Sequence, residues 1–90
     1  MTVYFIQCNE FVKIGDTSNI EERFKSLQAS NPYKLELLCC IDDCTEKEFH
    51  EKFKNERIHG EWFKISGILK DFIMEKNWQF FVSFILTNYI

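Results

Sequence analysis

Apolar positions along the chain come in short runs separated by polar breaks. Thr2 to Gln7 is rich in Val, Tyr, Phe and Ile and reads as a strand. Cys8-Asn9-Glu10 interrupts it, and Phe11 to Ile14 resumes the strand character, so the two segments predict an antiparallel hairpin. Gly15 ends the second strand, and Asp16-Thr17-Ser18-Asn19 is a turn cluster. The period then changes. Ile20, Phe24 and Leu27 share one stripe of a helix, Ser18 as N-cap with Glu21 forms a capping box, and Pro32 forbids continuation past Ser30-Asn31.

Tyr33 to Ile41 predicts a third strand centred on Leu35-Glu36-Leu37-Leu38-Cys39. Asp42-Asp43-Cys44-Thr45-Glu46 opens a second helix with its acids first, as the helix dipole prefers, and Phe49 and Phe53 form its apolar stripe. That helix frays by Asn55-Glu56-Arg57, His59-Gly60 is a turn, and Glu61 to Lys64 is a short strand. Ser66-Gly67 opens a third helix with Ile68, Leu69, Phe72 and Ile73 inward. The order β-β-α-β-α-(β)-α predicts an α+β domain over residues 1–76, with helices flanking a small, mostly antiparallel three-stranded sheet. Residues 77–90 form a separate apolar, aromatic element, expected as a helix packed on the domain or at a homodimer contact. Its run from Trp78 to Leu86 falls short of the roughly 20 residues that span a bilayer, so no membrane partner is expected.

Composition sharpens this picture in two ways. Of 90 residues 46% are hydrophobic and 17% aromatic, and ten are phenylalanine, so the core is expected to be built from rings. The formal charge of −3 gives no global basic field, which counts against a protein that coats DNA without specificity but leaves a local basic groove open. Residues 1–15 are patterned as structure rather than as a secretory signal, so Cys8, Cys39, Cys40 and Cys44 read as reduced thiols. An intracellular location follows, cytoplasmic, or nuclear in a eukaryotic host. A zinc site from Cys39, Cys40 and Cys44 with His50 is conceivable but lacks a C-x2-C pair.

Four residues invite a chemical reading. Arg23 falls at the margin of the first helix's apolar stripe, where a guanidinium is well shaped to grip phosphate; the plainer reading is an ion pair with Asp16 or Glu22. Glu46 lies beside the direction of Phe53, where a carboxylate calls for a cation or serves the helix N-terminus. His50 is one turn beyond Glu46 on the same side, as ligand, acid–base partner or hydrogen-bonded neighbour. Tyr4 in the first strand is a core ring or a cleft hydroxyl.

Taken together, these motifs resemble the GIY-YIG endonuclease superfamily. Thr2-Val3-Tyr4 stands where G-I-Y would be and Lys13-Ile14-Gly15 where Y-I-G would be, with Thr17, Arg23 and Glu46 at matching places. The likeness is closer to a viral, phage and bacterial sub-branch. It rests on Lys13-Ile14-Gly15, Arg23 to Leu27, Asn31-Pro32, Glu46 to Phe53 and Gly60-Glu61-Trp62-Phe63, and runs from about Val3 to Phe72. Thr2 and Lys13 depart from the wider pattern. The resemblance implies hydrolysis of a DNA phosphodiester with one Mg²⁺ or Mn²⁺ held by Glu46, Glu61 being the second choice. Arg23 would stabilise the phosphate oxygens, and Tyr4, aided by Lys13 or His50, would orient or deprotonate the attacking water. Gly15, Thr17, Lys13 and Arg23 would face the substrate, DNA being held weakly by the isolated domain. The alternative is a non-catalytic module on the same fold that binds nucleic acid, a nucleotide or a protein.

Overall fold

A computed structural model describes residues 1–77 together with Val82 and Leu86. The elements are β1 (Thr2–Cys8), β2 (Phe11–Thr17), α1 (Ile20–Ala29), β3 (Glu36–Asp42), α2 (Glu46–Lys52), a 3-10 turn at Lys54–Glu56, β4 (Arg57–His59), β5 (Trp62–Lys64) and α3 (Gly67–Lys76). The dimer contact and helix expected of residues 78–90 lie outside the described residues, the isolated Val82 and Leu86 aside.

The fold is α+β, but its sheet has five strands, in the order β3-β1-β2-β5-β4. This corrects the expected three-stranded sheet. Every pairing is antiparallel. β5 falls in the short strand expected at Glu61 to Lys64, whereas β4 lies where the sequence reads as fraying helix and turn; each has three residues, too short to display an alternation, and all of β4 is exposed. Their pairing to one another and to β2 makes them strands, and none of that is local.

The β1–β2 hairpin is in register from Cys8↔Phe11 to Thr2↔Thr17. Its two-residue turn puts Asn9 in the left-handed region (φ 56°), which asparagine tolerates. β2 runs on to Thr17, so Gly15 lies inside the strand and does not end it. The N-cap of α1 is Asn19, not Ser18: the Asn19 side chain accepts from the backbone N–H of Glu22 at 3.1 Å. Thr45 caps α2 in a reciprocal capping box with Glu48. β3 begins at Glu36 rather than Tyr33, because Gln28 holds the preceding turn by bonding the Tyr33 carbonyl and the Leu35 N–H.

Alternation along β1 sends Tyr4 and Ile6 to one face and Val3 and Phe5 to the other, and all four are wholly buried. The first face packs beneath Ile20, Phe24 and Leu27 of α1. The second joins Val12, Ile14 and Phe63 to Phe49, Phe53, Leu69 and Ile73 on the far side. As the phenylalanine content predicts, rings dominate there: Phe5, Phe49, Phe53 and Phe72 pair at centroid separations of 5.3 to 6.2 Å. Ile68, expected inward, is 53% exposed, since α3 turns Leu69 and Ile73 to the core instead. At the other end of α3, Asn77 donates to the Leu38 carbonyl and ties the helix to β3.

Candidate active site

The sheet is incomplete where the motif residues meet. β5 pairs with β2 only from Phe11 to Lys13, so beyond that point β2 has a strand on its β1 side alone. The Ile14 N–H is still taken by the Glu61 carbonyl at 2.9 Å. The Ile14 carbonyl is met by His50 Nε2 at 2.8 Å, from α2. A helix packed on one face of the sheet thus reaches round the end of β5 toward the other face. This gap brings α2 together with Tyr4, Gly15 and Lys13.

Gly15 stands opposite Tyr4 in the hairpin register. A Cβ at Gly15 would lie 2.5 Å from the Tyr4 hydroxyl, 2.7 Å from Cζ and 2.9 Å from Glu61 Oε2. Such distances are well inside van der Waals contact, so the glycine is required by close approach rather than by a turn. Its bare backbone lets a tyrosine ring and a glutamate carboxylate lie over the same strand.

Glu61, ranked second from sequence, is the hub. Its Oε2 lies 3.4 Å from Lys13 Nζ, and it faces both Tyr4 and Glu46. Lys13 in turn stands 5.3 Å from the centre of the Trp62 ring. His50 Nε2 is 3.5 Å from Glu46 Oε1, and the imidazole meets the Phe63 ring edge-on at 5.0 Å. Because a carbonyl only accepts, the His50 nitrogen that meets Ile14 carries its proton. That nitrogen, with Glu46 beside it, is not available to take a proton from water.

Two groups have shifted proton affinities. Partial burial, then the Glu61 carboxylate, hold Glu46 above its ordinary value; Asp16 adds to the effect and His50 opposes it. Burial and then Glu61 push the Tyr4 phenol up, and Arg23 pulls it down without prevailing. Arg23, rather than the expected Lys13 or His50, is the cation that acts on the tyrosine, and it is outweighed. Tyr4 keeps its proton at neutral pH. Its hydroxyl oxygen is buried with no partner in hydrogen-bond geometry among the described residues, although Arg23 is near enough to act on it as charge and donor.

Arg23 itself is exposed, and among the described residues it forms neither of the ion pairs considered, with Asp16 or Glu22. Glu22 is occupied by Asn19. Thr17 is buried, and its hydroxyl bonds Asn19 at the entry to α1. The structure therefore brings Tyr4, Lys13, Gly15, Glu46, His50 and Glu61 into one cluster with Arg23 beside it, and employs Thr17 in shaping the turn. Asp16 and Trp62 complete the surroundings. Neither was singled out by spacing, although Trp62 sits cross-strand from Lys13 once β5 is paired to β2.

The zinc alternative fails on geometry: among the described residues no three His, Cys, Asp or Glu side chains gather as a metal-holding group, and all four cysteines are free. No helix among the described residues is long and apolar enough to cross a membrane.

The sequence model of the T5orf172 domain matches residues 1–85. The chain belongs to the T5orf172 domain family. This is a family of small domains related to nuclease-like domains. No curated protein and no solved structure matches the chain significantly. The T5orf172 match takes in every member of the cluster, from Tyr4 in β1 to Trp62 in β5, so the site belongs to the domain itself.

Proposed function

We propose that this T5orf172 domain is a DNA endonuclease that hydrolyses phosphodiester bonds with Mg²⁺ or Mn²⁺. One observation carries the reading: two carboxylates from separate elements, Glu46 at the start of α2 and Glu61 ahead of β5, converge beside an arginine that no carboxylate among the described residues neutralises. Like charges brought together and partly desolvated are costly unless something shares them. A hard divalent ion fits such a pair, since Mg²⁺ commonly takes one or two carboxylates and completes its shell with water and phosphate oxygens. Glu46 and Glu61 would hold it, and when bound it would supply charge neutralisation at the phosphate.

The chain's own groups divide the remaining work. Arg23 grips non-bridging phosphate oxygens in a two-pronged way and stabilises the charge that grows there. Tyr4, kept protonated and buried, does not act as a base; its unpartnered hydroxyl is a donor only for a water admitted beside Glu61 and Arg23. His50, fixed on Ile14, holds Glu46 in position. Lys13 balances Glu61 and adds positive charge on the substrate side. With a net charge of −3 the domain relies on this local arrangement for DNA, so its affinity in isolation is weak.

Incubation of the purified chain with supercoiled, linear and branched DNA plus Mg²⁺ or Mn²⁺ tests the reading. Cleavage is expected, and Glu46→Ala and Arg23→Ala each reduce it by about 100-fold or more with an unchanged circular-dichroism spectrum. Full cleavage in both variants overturns it. Binding without cleavage would leave a nucleic-acid-binding module on the same fold.

A further inference from the structure

On the same face of β2 as Gly15 and Lys13, the alternation of the strand places Phe11. Phe11 opens onto a cleft of about 460 Å³ that runs to Trp62, Tyr33, Asn9, Asn31 and His59. Its size is within the range of small-molecule sites. Trp62 is the shared wall, for its ring lines the cleft and also stands beneath the Lys13 ammonium.

We propose that this cleft receives an unpaired nucleobase of the nucleic acid whose backbone lies at the Glu46–Arg23 site; this rests on the nuclease reading above. Three features converge. The walls offer three aromatic rings, Phe11, Tyr33 and Trp62, which stack on the face of a base. They also offer the Asn9 amide and the His59 imidazole, which suit base edges, while the Asn31 amide is taken by the Tyr33 N–H and Cys8 Sγ and shapes the wall. Finally, none of the nine lining residues is a carboxylate in a chain that carries 14, so the flank of a polyanion enters without repulsion from the wall. Tyr33 is 58% exposed, its ring unconsumed by the core. From Phe11 to Gly15 the strand advances about 13 Å, a few nucleotides at the ~3.4 Å step of a stacked strand. A base within a duplex shows only its edges, so ring faces at this place select a base that has left the stack.

The test is fluorescence anisotropy with the full chain in EDTA, which separates binding from cleavage. One probe is a fully paired duplex and the other is that duplex with a single unpaired nucleotide, each made as DNA and as RNA to identify the source of the base. The unpaired probe is expected to bind about tenfold more tightly, and Tyr33→Ala removes that preference while leaving duplex affinity unchanged. Trp62→Leu provides a second variant and also lowers the preference for the unpaired probe. Equal affinity for the two probes overturns the proposal, as does a preference that survives both substitutions. So does concentration-dependent self-association abolished by Tyr33→Ala, which would seat a second copy of the chain there. A preference without metal-dependent cleavage removes the nuclease reading alone, whereas cleavage without a preference removes the base subsite alone.

Discussion

His50 donates from Nε2 to the carbonyl oxygen of Ile14 at 2.8 Å. This one bond ties α2 to the edge of β2 that β5 leaves open, and it fixes which imidazole nitrogen carries the proton. Glu46 Oε1 lies 3.5 Å from the same nitrogen, so in the proposed reaction His50 would position that carboxylate.

A residue that positions by donation is replaceable by another donor. His50→Ala is expected to lower cleavage by about tenfold to 100-fold. His50→Gln, which keeps a donor near the same place, recovers a large part of the activity without moving its pH profile. Steady-state cleavage assays across pH check this, and a displaced profile in His50→Gln would show a proton-transferring histidine instead.

Gly15 and Tyr4 are coupled by contact. Gly15→Ala forces a Cβ against a tyrosine that is wholly buried and cannot swing into solvent. A destabilisation of about 1–3 kcal/mol is expected from such overpacking. In a Tyr4→Leu background the same substitution costs less, because the atoms it meets are gone. Urea unfolding of the two single variants and the double variant measures the coupling.

Gly67 shows the other use of glycine. It opens α3 at φ +54°, and a Cβ there would meet Glu56 Oε1 at 2.5 Å. The Glu56 carboxylate thus sits at the helix N-terminus, where the dipole favours an anion. Gly67→Ala is expected to cost about 1–2 kcal/mol from the left-handed backbone alone. The substitution lies away from the cluster, so cleavage per folded molecule stays unchanged, as a thermal melt paired with a cleavage assay will show.

Cys39 sets an alkaline limit. Burial, then neighbouring Cys40, push its thiol up to about 12, against the partial opposition of Lys76. The unfolded chain releases that proton near 9, so between about 9 and about 12 the folded state binds more protons and stability falls as pH rises. Tyr4 and Cys40 shift in the same direction and add to the slope. Cys39→Ala is expected to flatten the dependence of the urea midpoint between pH 8 and pH 11. In the native chain at pH 8, Cys39 stays a thiol and is expected to alkylate slowly.

Much of the fold is legible because its signals are local. Four consecutive apolar residues, Val3 to Ile6, mark a strand covered on both faces, and the burial of all four follows. The Ile20, Phe24 and Leu27 stripe predicts α1, and the stripe is what covers Tyr4 and Ile6. Thr45 with Glu48 forms a capping box at the start of α2, within the segment already read as a helix entry. Elements of three residues are not legible this way. Arg57–His59 has no buried side and no period, so only its pairing with β5 makes it a strand.

The candidate site divides along the same line. Chemistry at Tyr4, Arg23, Glu46 and His50 can be suspected from residue type and helical phase. The rank of Glu61 cannot, since its place over Gly15 depends on a backbone bond to Ile14 across 47 residues of chain. The sequence by itself determined which residues carry charge, which stripes must be buried and where the chain must turn, because these follow from hydrophobic burial and short-range sterics. Only the tertiary structure decided that β5 stops short, that α2 reaches through the opening, and that two carboxylates meet there, because contacts between distant segments depend on how separate faces pack.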